Sequence, residues 1–333
     1  MTDWPELAVE IAENILFPVA DSVDVDGEIP ASHFDALAAD GFYGLTAPDS
    51  GVTPNVLVEV LETLCGGCLA TTFTWMQHLG VLARLAGSEN VEMKESCLPG
   101  LVAGEVRAGA AFTGAIPVPP TLWARRVDNG YVLDGVSPFV TGWGLVDVLQ
   151  VSARDEFDDS VVHAILPATD GPGITAELLP LIAANGSNTV RLTFDGAEVP
   201  DASVSGIESS ESFGESQLFG QWMTGCLAMG VARRCIRELE ELGADVDAFE
   251  DQAWRVRLDL DAGLERSSGL SEARARASEL AIRVAAALVT ATGSSSIVGS
   301  NTAERLMREA TFTMVAAGQP SIKTALLARL TRS

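Results

Sequence analysis

Lysine is nearly absent from this chain of 333 residues: Lys94 and Lys323 are the only two. Lysine and arginine together number 21 against 46 Asp and Glu, a formal net charge of -25, and no basic run occurs. Nucleic acid is bound by clustered cations, so it is set aside as a partner. The acidity implies solubility and self-repulsion, and an anionic ligand would need a local arginine pocket. Histidine is also scarce. His33, His78 and His163 are the only three and none sits at ligand spacing, so no metal centre is expected. Cys65, Cys68, Cys97, Cys226 and Cys235 are odd in number and lack framework spacing. That predicts reduced thiols in a cytoplasmic protein, not a disulfide scaffold. The chain has no uninterrupted apolar run of the roughly 18 residues that a membrane helix needs. Its opening, MTDWPELAVEIAEN, lacks the basic segment of a signal peptide. A GxGxxG after a strand, a Walker loop and a GxSxG elbow are all missing.

What is present is an ordinary globular composition, 47% apolar and 20% charged. The length suits two or three modules sharing a large core. Cys65-Gly66-Gly67-Cys68 is the one cysteine pattern open to redox or zinc chemistry. Zinc would require a second pair or nearby histidines, so small residues at a close helix contact are the favoured reading.

Three segments of different hydrophobic period follow one another. Residues 1–108 read as helical: Leu7, Ile11 and Ile15 share a helix face until Pro18. SHFDALAADG fits a second helix, with Ser32 as N-cap and Gly41 as the stop. NVLVEVLETLCGGCLATTFTWMQHLGVLARLAG predicts one or two buried helices. Residues 109–208 turn to a period of two. After the proline-rich IPVPP, WARRVDNGYVLDGVSPFVTG predicts a hairpin turning at Asp128-Asn129-Gly130. DVLQVSA, VVHAILPA and NTVRLTF are short β-branched runs, so this module is a β-barrel or sandwich. Residues 209–333 return to helix: FGQWMTGCLAMGVARRCIRELEELG is apolar on nearly all faces of its first half, and apolar or small residues at 273, 277, 280, 281, 284 and 288 form a stripe. Two short helices, broken near Gly318 to Pro320, complete an expected four-helix bundle.

Four segments in this order resemble the acyl-CoA dehydrogenases across nearly the whole chain. They are GEIPASHFDALAADGFYGLTAPDSG, VDNGYVLDGVSPFVTG, NTVRLTFDGAEVP and ERLMREATFTMVAAGQPSIKTALLARL. The resemblance implies a multi-domain α+β fold of N-terminal helices, a middle β-domain and a C-terminal helical bundle. It also implies an FAD oxidoreductase of the CH–CH group of an acyl thioester, in which the flavin carries the redox step and the protein supplies a base. Carried over by residue, Thr141 matches the flavin-facing threonine after Val140, and Phe139 replaces a ring-stacking tryptophan. Thr113, after Phe112, matches a threonine at the flavin pyrimidine edge. Threonines at these places are equally at home capping β-turns, and Phe139 equally at home in a core.

Three departures from that pattern stand out. Matching RLMREA places the family's Tyr-Glu on Ala316-Ala317, before a retained Gly318. The alternative base position, at the start of the first C-terminal helix, falls on Gly220 beside Gln221, with Glu215 over one turn earlier as a possible substitute. The arms that reach a neighbouring subunit's FAD diphosphate are reduced to a linker, ELGADVDAFEDQAW, and a loop, GSSSIVG. Lost charge-assisted hydrogen bonds cost roughly 1.5–3 kcal/mol each, so FAD binding is expected to be weak or partner-dependent. The loop after Thr113 also lacks the family's serine contact to the thioester. His78 reads as a packing residue before a pocket residue, and Glu309 as an ion-pair partner of a neighbouring arginine. Three functions remain open: an impaired acyl-CoA oxidoreductase; a catalytically silent subunit in a homo- or hetero-oligomer with another acyl-CoA dehydrogenase-like chain; or a flavin monooxygenase on the same fold.

Overall fold

The computed structural model describes residues 2–316 and 318–331. Six helices come first: α1 (Trp4–Ile11), α2 (Ala20–Asp26), α3 (Ala31–Ala39), α4 (Pro54–Gly67), α5 (Leu69–Ala86) and α6 (Val91–Ala103). Their starts follow local chemistry. Asp3 accepts from the Glu6 amide at 3.2 Å, and Asn90 accepts from the Met93 amide at 3.0 Å. Pro54 follows the N-cap Thr53, where its missing N–H costs nothing. Ser32 is not the N-cap expected of it. Pro30 is extended and α3 begins at Ala31, which leaves Ser32 inside the first turn with no cap bond. Gly41 does end that segment, with φ of +80°. The Leu7–Ile15 face is broken earlier than Pro18, because α1 passes into a π-turn over Ala12–Leu16.

The two glycines of Cys65-Gly66-Gly67-Cys68 lie where helices touch. A Cβ on Gly67 would stand 3.0 Å from Ala12 Cα, and one on Gly66 3.3 Å from the Gly230 carbonyl. Cys68 is extended, with φ of -154°, and separates α4 from α5. The motif is a close-packing device, as its small residues predicted.

Eight strands follow: β1 (Ala108–Ala111), β2 (Leu122–Val127), β3 (Gly130–Val140), β4 (Val148–Asp155), β5 (Val161–Pro167), β6 (Ile174–Leu178), β7 (Val190–Pro200) and β8 (Val204–Glu208). They form one sheet in the order β6-β7-β3-β2-β4-β5-β8, with β1 parallel to β4. The predicted hairpin is β2–β3, paired from Leu122↔Gly135 to Val127↔Gly130. Gly130 has φ of +152°, and a Cβ there would meet the Val199 carbonyl at 2.0 Å. Only glycine fits that turn.

The C-terminal part contains α7 (Ser210–Glu241), α8 (Asp247–Glu265), α9 (Leu270–Thr292), α10 (Thr302–Thr313) and α11 (Pro320–Leu330). Most of the stretch expected as a shortened linker is therefore helix. The connection is residues 242–246 alone, and α8 brings the described helices here to five. By length and composition Leu270–Ile297 could cross a membrane. Here α9 packs against α7, α8, α10 and α11. The largest apolar core joins α1, α4 and α5 to α7–α10, and a second lies within the sheet.

Candidate functional site

The expected flavin-side residues lie at the ends of β1 and β3. Thr113 Oγ1 is 3.0 Å from Ser137 Oγ and donates to the Phe139 carbonyl at 3.3 Å. The threonine thus staples the segment after β1 onto β3. Phe139 is 59% exposed while Val140 beside it is fully buried, so the strand presents one aromatic face outward. Thr141 is buried, and its hydroxyl lies 3.2 Å from Thr189 Oγ1. Thr189 in turn meets Ser187 at 2.9 Å. The Thr141 side chain is thus tied into the fold through its hydroxyl. Phe112 packs with Ala115, Val161 and Phe213, which ties the same strand end to the first turns of α7.

The base positions look different. Glu215 is exposed, and no hydrogen bond joins it to any described residue. Gly220 is exposed, and a Cβ placed on it would meet nothing within 4 Å. Gln221 next to it is buried, and its Oε1 has no partner among the described residues. Ala317 lies outside the described residues. Its neighbour Ala316 is linked to α7 through a side chain that no sequence motif marked. Arg274 of α9 is 1% exposed. It donates to Ser278 Oγ at 2.6 Å and to the Thr313 carbonyl at 3.0 Å, with Thr224 Oγ1 and the Ala316 carbonyl both at 3.5 Å. No carboxylate faces it among the described residues, and burial pushes its pKa down to about 10. The α10 carbonyls, at the negative end of a helix dipole, offset that charge. Arg274 and Ser278, an i,i+4 polar pair beside the stripe at 273 and 277, were the available signal.

The other residues of interest are structural. His78 is 1% exposed, and its Nδ1 accepts the Ala108 amide at 3.0 Å. That bond anchors β1 to α5, and burial pushes the imidazole pKa down to about 4. Glu309 accepts from Arg305 Nη1 at 2.9 Å, the ion pair expected of it. Cys65 and Cys68 are buried, burial raises both thiols, and Cys65 donates to the Leu227 carbonyl. Neither is a poised thiolate.

A flavin can be tested against these residues. The exposed Phe139 ring beside the Thr113 hydroxyl fits the aromatic end of the cofactor. The diphosphate end is not matched by the segments expected to hold it. Residues 242–254 contain four carboxylates and no Lys or Arg, and the 293–300 turn contains no charge. In that turn Ile297 and Val298 are 80% and 73% exposed.

Residues 4–105 match the family model described as the N-terminal domain of acyl-CoA dehydrogenase. The mitochondrial 2-methylacyl-CoA dehydrogenase of Solanum tuberosum is 23% identical to this chain, over 98% of the chain and 89% of that protein. Among solved structures, butyryl-CoA dehydrogenase from Megasphaera elsdenii shares the fold with a TM-score of 0.78 at 20% identity, covering 99% of this chain and 97% of the other. A complex of PigA with FAD and proline gives a TM-score of 0.83 at 18% identity, covering 98% and 96%.

Proposed function

The chain belongs to the acyl-CoA dehydrogenase family, and on that premise we propose that it is a cytoplasmic FAD-dependent subunit that serves acyl-thioester oxidation only together with a partner of the same family. The observation that carries this reading is the missing carboxylate. Gly220 has no side chain, Ala317 offers a methyl group, and Glu215 is exposed to solvent without a hydrogen bond among the described residues. The α-proton of a thioester is a weak acid, and a positioned carboxylate contributes on the order of a hundred- to ten-thousand-fold to its removal. Bound FAD would supply the acceptor for hydride from the β-carbon. Toward that group this chain contributes the Phe139 face, the Thr113 hydroxyl and Thr141, with Phe112 behind them. The acidic 242–254 segment repels a diphosphate, which supports weak binding by the chain alone and tighter binding where a partner supplies cations.

Visible absorbance of the purified chain tests this. After extensive dialysis the chain alone loses flavin, and with a dehydrogenase-like partner it retains flavin. Saturated acyl-CoA added to the chain alone leaves the flavin band unchanged. Ala317→Glu restores a carboxylate before Gly318, and where cofactor and thioester bind it raises electron transfer to an artificial acceptor roughly a hundredfold. Stoichiometric FAD on the dialysed single chain would sink the partner reading. Robust dehydrogenation by the unmodified chain would do the same, and its loss in Glu215→Gln would assign the base to Glu215.

A further inference from the structure

The three parts of the chain meet at a polar node centred on a buried histidine. Arg84, in the last turn of α5, is salt-bridged to Glu208 at the end of β8. Its Nη2 also donates to Ser216 Oγ of α7 at 2.9 Å. His163 of β5 is 3% exposed. Its Nε2 lies 2.8 Å from Glu208 Oε1 and 3.3 Å from Arg84 Nη1, and its Nδ1 lies 2.8 Å from Ser152 Oγ of β4. Glu208 Oε2 accepts from Ser212 Oγ of α7 at 2.8 Å. Phe213 covers the node, with its ring 5.8 Å from His163 and 6.0 Å from the Arg84 guanidinium. The Ser152–His163–Glu208 connectivity is that of a nucleophile, base and acid. Ser152, however, is 3% exposed on a central strand, so no substrate carbonyl reaches it.

The node is matched to a neutral imidazole. Nε2–H donates to Glu208 and Nδ1 accepts from the Ser152 hydroxyl, which has no other partner among the described residues. Burial lowers the His163 pKa. Burial also opposes ionisation of Glu208, but hydrogen bonds from His163 and Ser212 and the Arg84 charge hold its carboxyl at about 2. Arg84 and Glu208 are the charged groups facing His163, so the neutral-histidine node sums to zero. Adding a proton leaves two cations on one carboxylate oxygen, one of them an imidazole that is 3% exposed. It also makes Nδ1 a donor and strips the Ser152 hydroxyl of its acceptor. Both penalties disappear when the start of α7 lifts away and water enters.

We propose that Arg84, His163 and Glu208 form an acid-sensitive clasp that holds the first turns of α7 against β5 and α5 and releases them when His163 takes up a proton. Because Phe213 belongs to the apolar cluster against which Phe112 packs, release loosens the β1 end from α7. The clasp is independent of whether the chain binds flavin. The sign follows from the direction of the shift. A histidine whose folded pKa is depressed contributes stability above its unfolded pKa of about 6.5, and that stability fades as pH falls toward the folded value.

The experiment compares melting temperature against pH for the full chain and for His163→Gln. Between about pH 7 and pH 5 the wild type loses roughly 2–4 °C more than His163→Gln. Equal losses in the two proteins overturn the clasp. If His163→Gln does not fold, an isotope-labelled wild-type imidazole decides the matter. The clasp requires a His163 midpoint below about 6.5, reached together with changes in the amides of Ser212 to Ser216. A midpoint at the free value, or titration without those changes, overturns it.

Discussion

Two alanine substitutions on one helix are expected to move stability in opposite directions. Gly220 and Gly230 both lie inside α7. Alanine is favoured over glycine in a helix interior by up to about 1 kcal/mol. At Gly220 a Cβ meets nothing within 4 Å, so Gly220→Ala gains roughly 0.5–1 kcal/mol. At Gly230 the same Cβ would stand 2.6 Å from the Glu62 carbonyl and 2.7 Å from Cys65 Cβ. Neither atom is the end of a flexible side chain, so α4 and α7 must part. Overpacking of this kind costs about 1–3 kcal/mol. Less the propensity gain, Gly230→Ala loses about 1–2 kcal/mol. Urea midpoints at constant slope measure both changes. A Gly230→Ala protein as stable as wild type, or a Gly220→Ala protein less stable than wild type, would refute this reasoning. Either result would mean that the α4–α7 approach is looser, or the start of α7 less helical, than these distances require.

The remaining predictions concern buried charge and histidine. Glu62 is 4% exposed and accepts from Arg257 at 2.8 Å while also pairing with Arg233. Glu62→Gln removes one of the two carboxylates facing the buried Arg257, which keeps its Asp261 ion pair at 2.6 Å, and costs about 1–3 kcal/mol, read by thermal or urea unfolding. Arg233→Gln, whose side chain is 47% exposed, costs much less, and equal losses would contradict the distinction. His78 must stay neutral at Nδ1 to accept the Ala108 amide, and burial holds its pKa down to about 4. Its contribution to stability is present above about pH 6.5 and is lost as pH falls toward that folded value. An imidazole titration in the ordinary range would show the burial to be incomplete.

The sheet, the helical flanks and the order between them were legible because hydrophobic period reports which face of an element is covered. Asn129-Gly130 named its hairpin for a local reason, since the turn needs a backbone that only glycine supplies. Ser32 misled because a cap depends on where Pro30 lets the helix begin, not on the residue type alone. Residues 247–254 were read as linker because the resemblance placed a family arm there, whereas the helix they begin is completed by Val256 and Leu260, buried further along α8.

Within the candidate site the same division holds. The sequence, read through its resemblance to the acyl-CoA dehydrogenases, already implied that the matched base positions hold no carboxylate and that the matched diphosphate arms hold no cation. Those are facts of residue identity, which folding cannot alter. Only the tertiary structure decided that the Thr141 hydroxyl is tied to Thr189 and that Phe139 is free. The two residues lie at one strand end, and which side chain is covered there depends on what packs against it. Only the tertiary structure, too, brought Arg84, His163 and Glu208 together from positions up to 124 residues apart. No local pattern records such contacts, because their geometry exists only once helix and sheet have closed on each other.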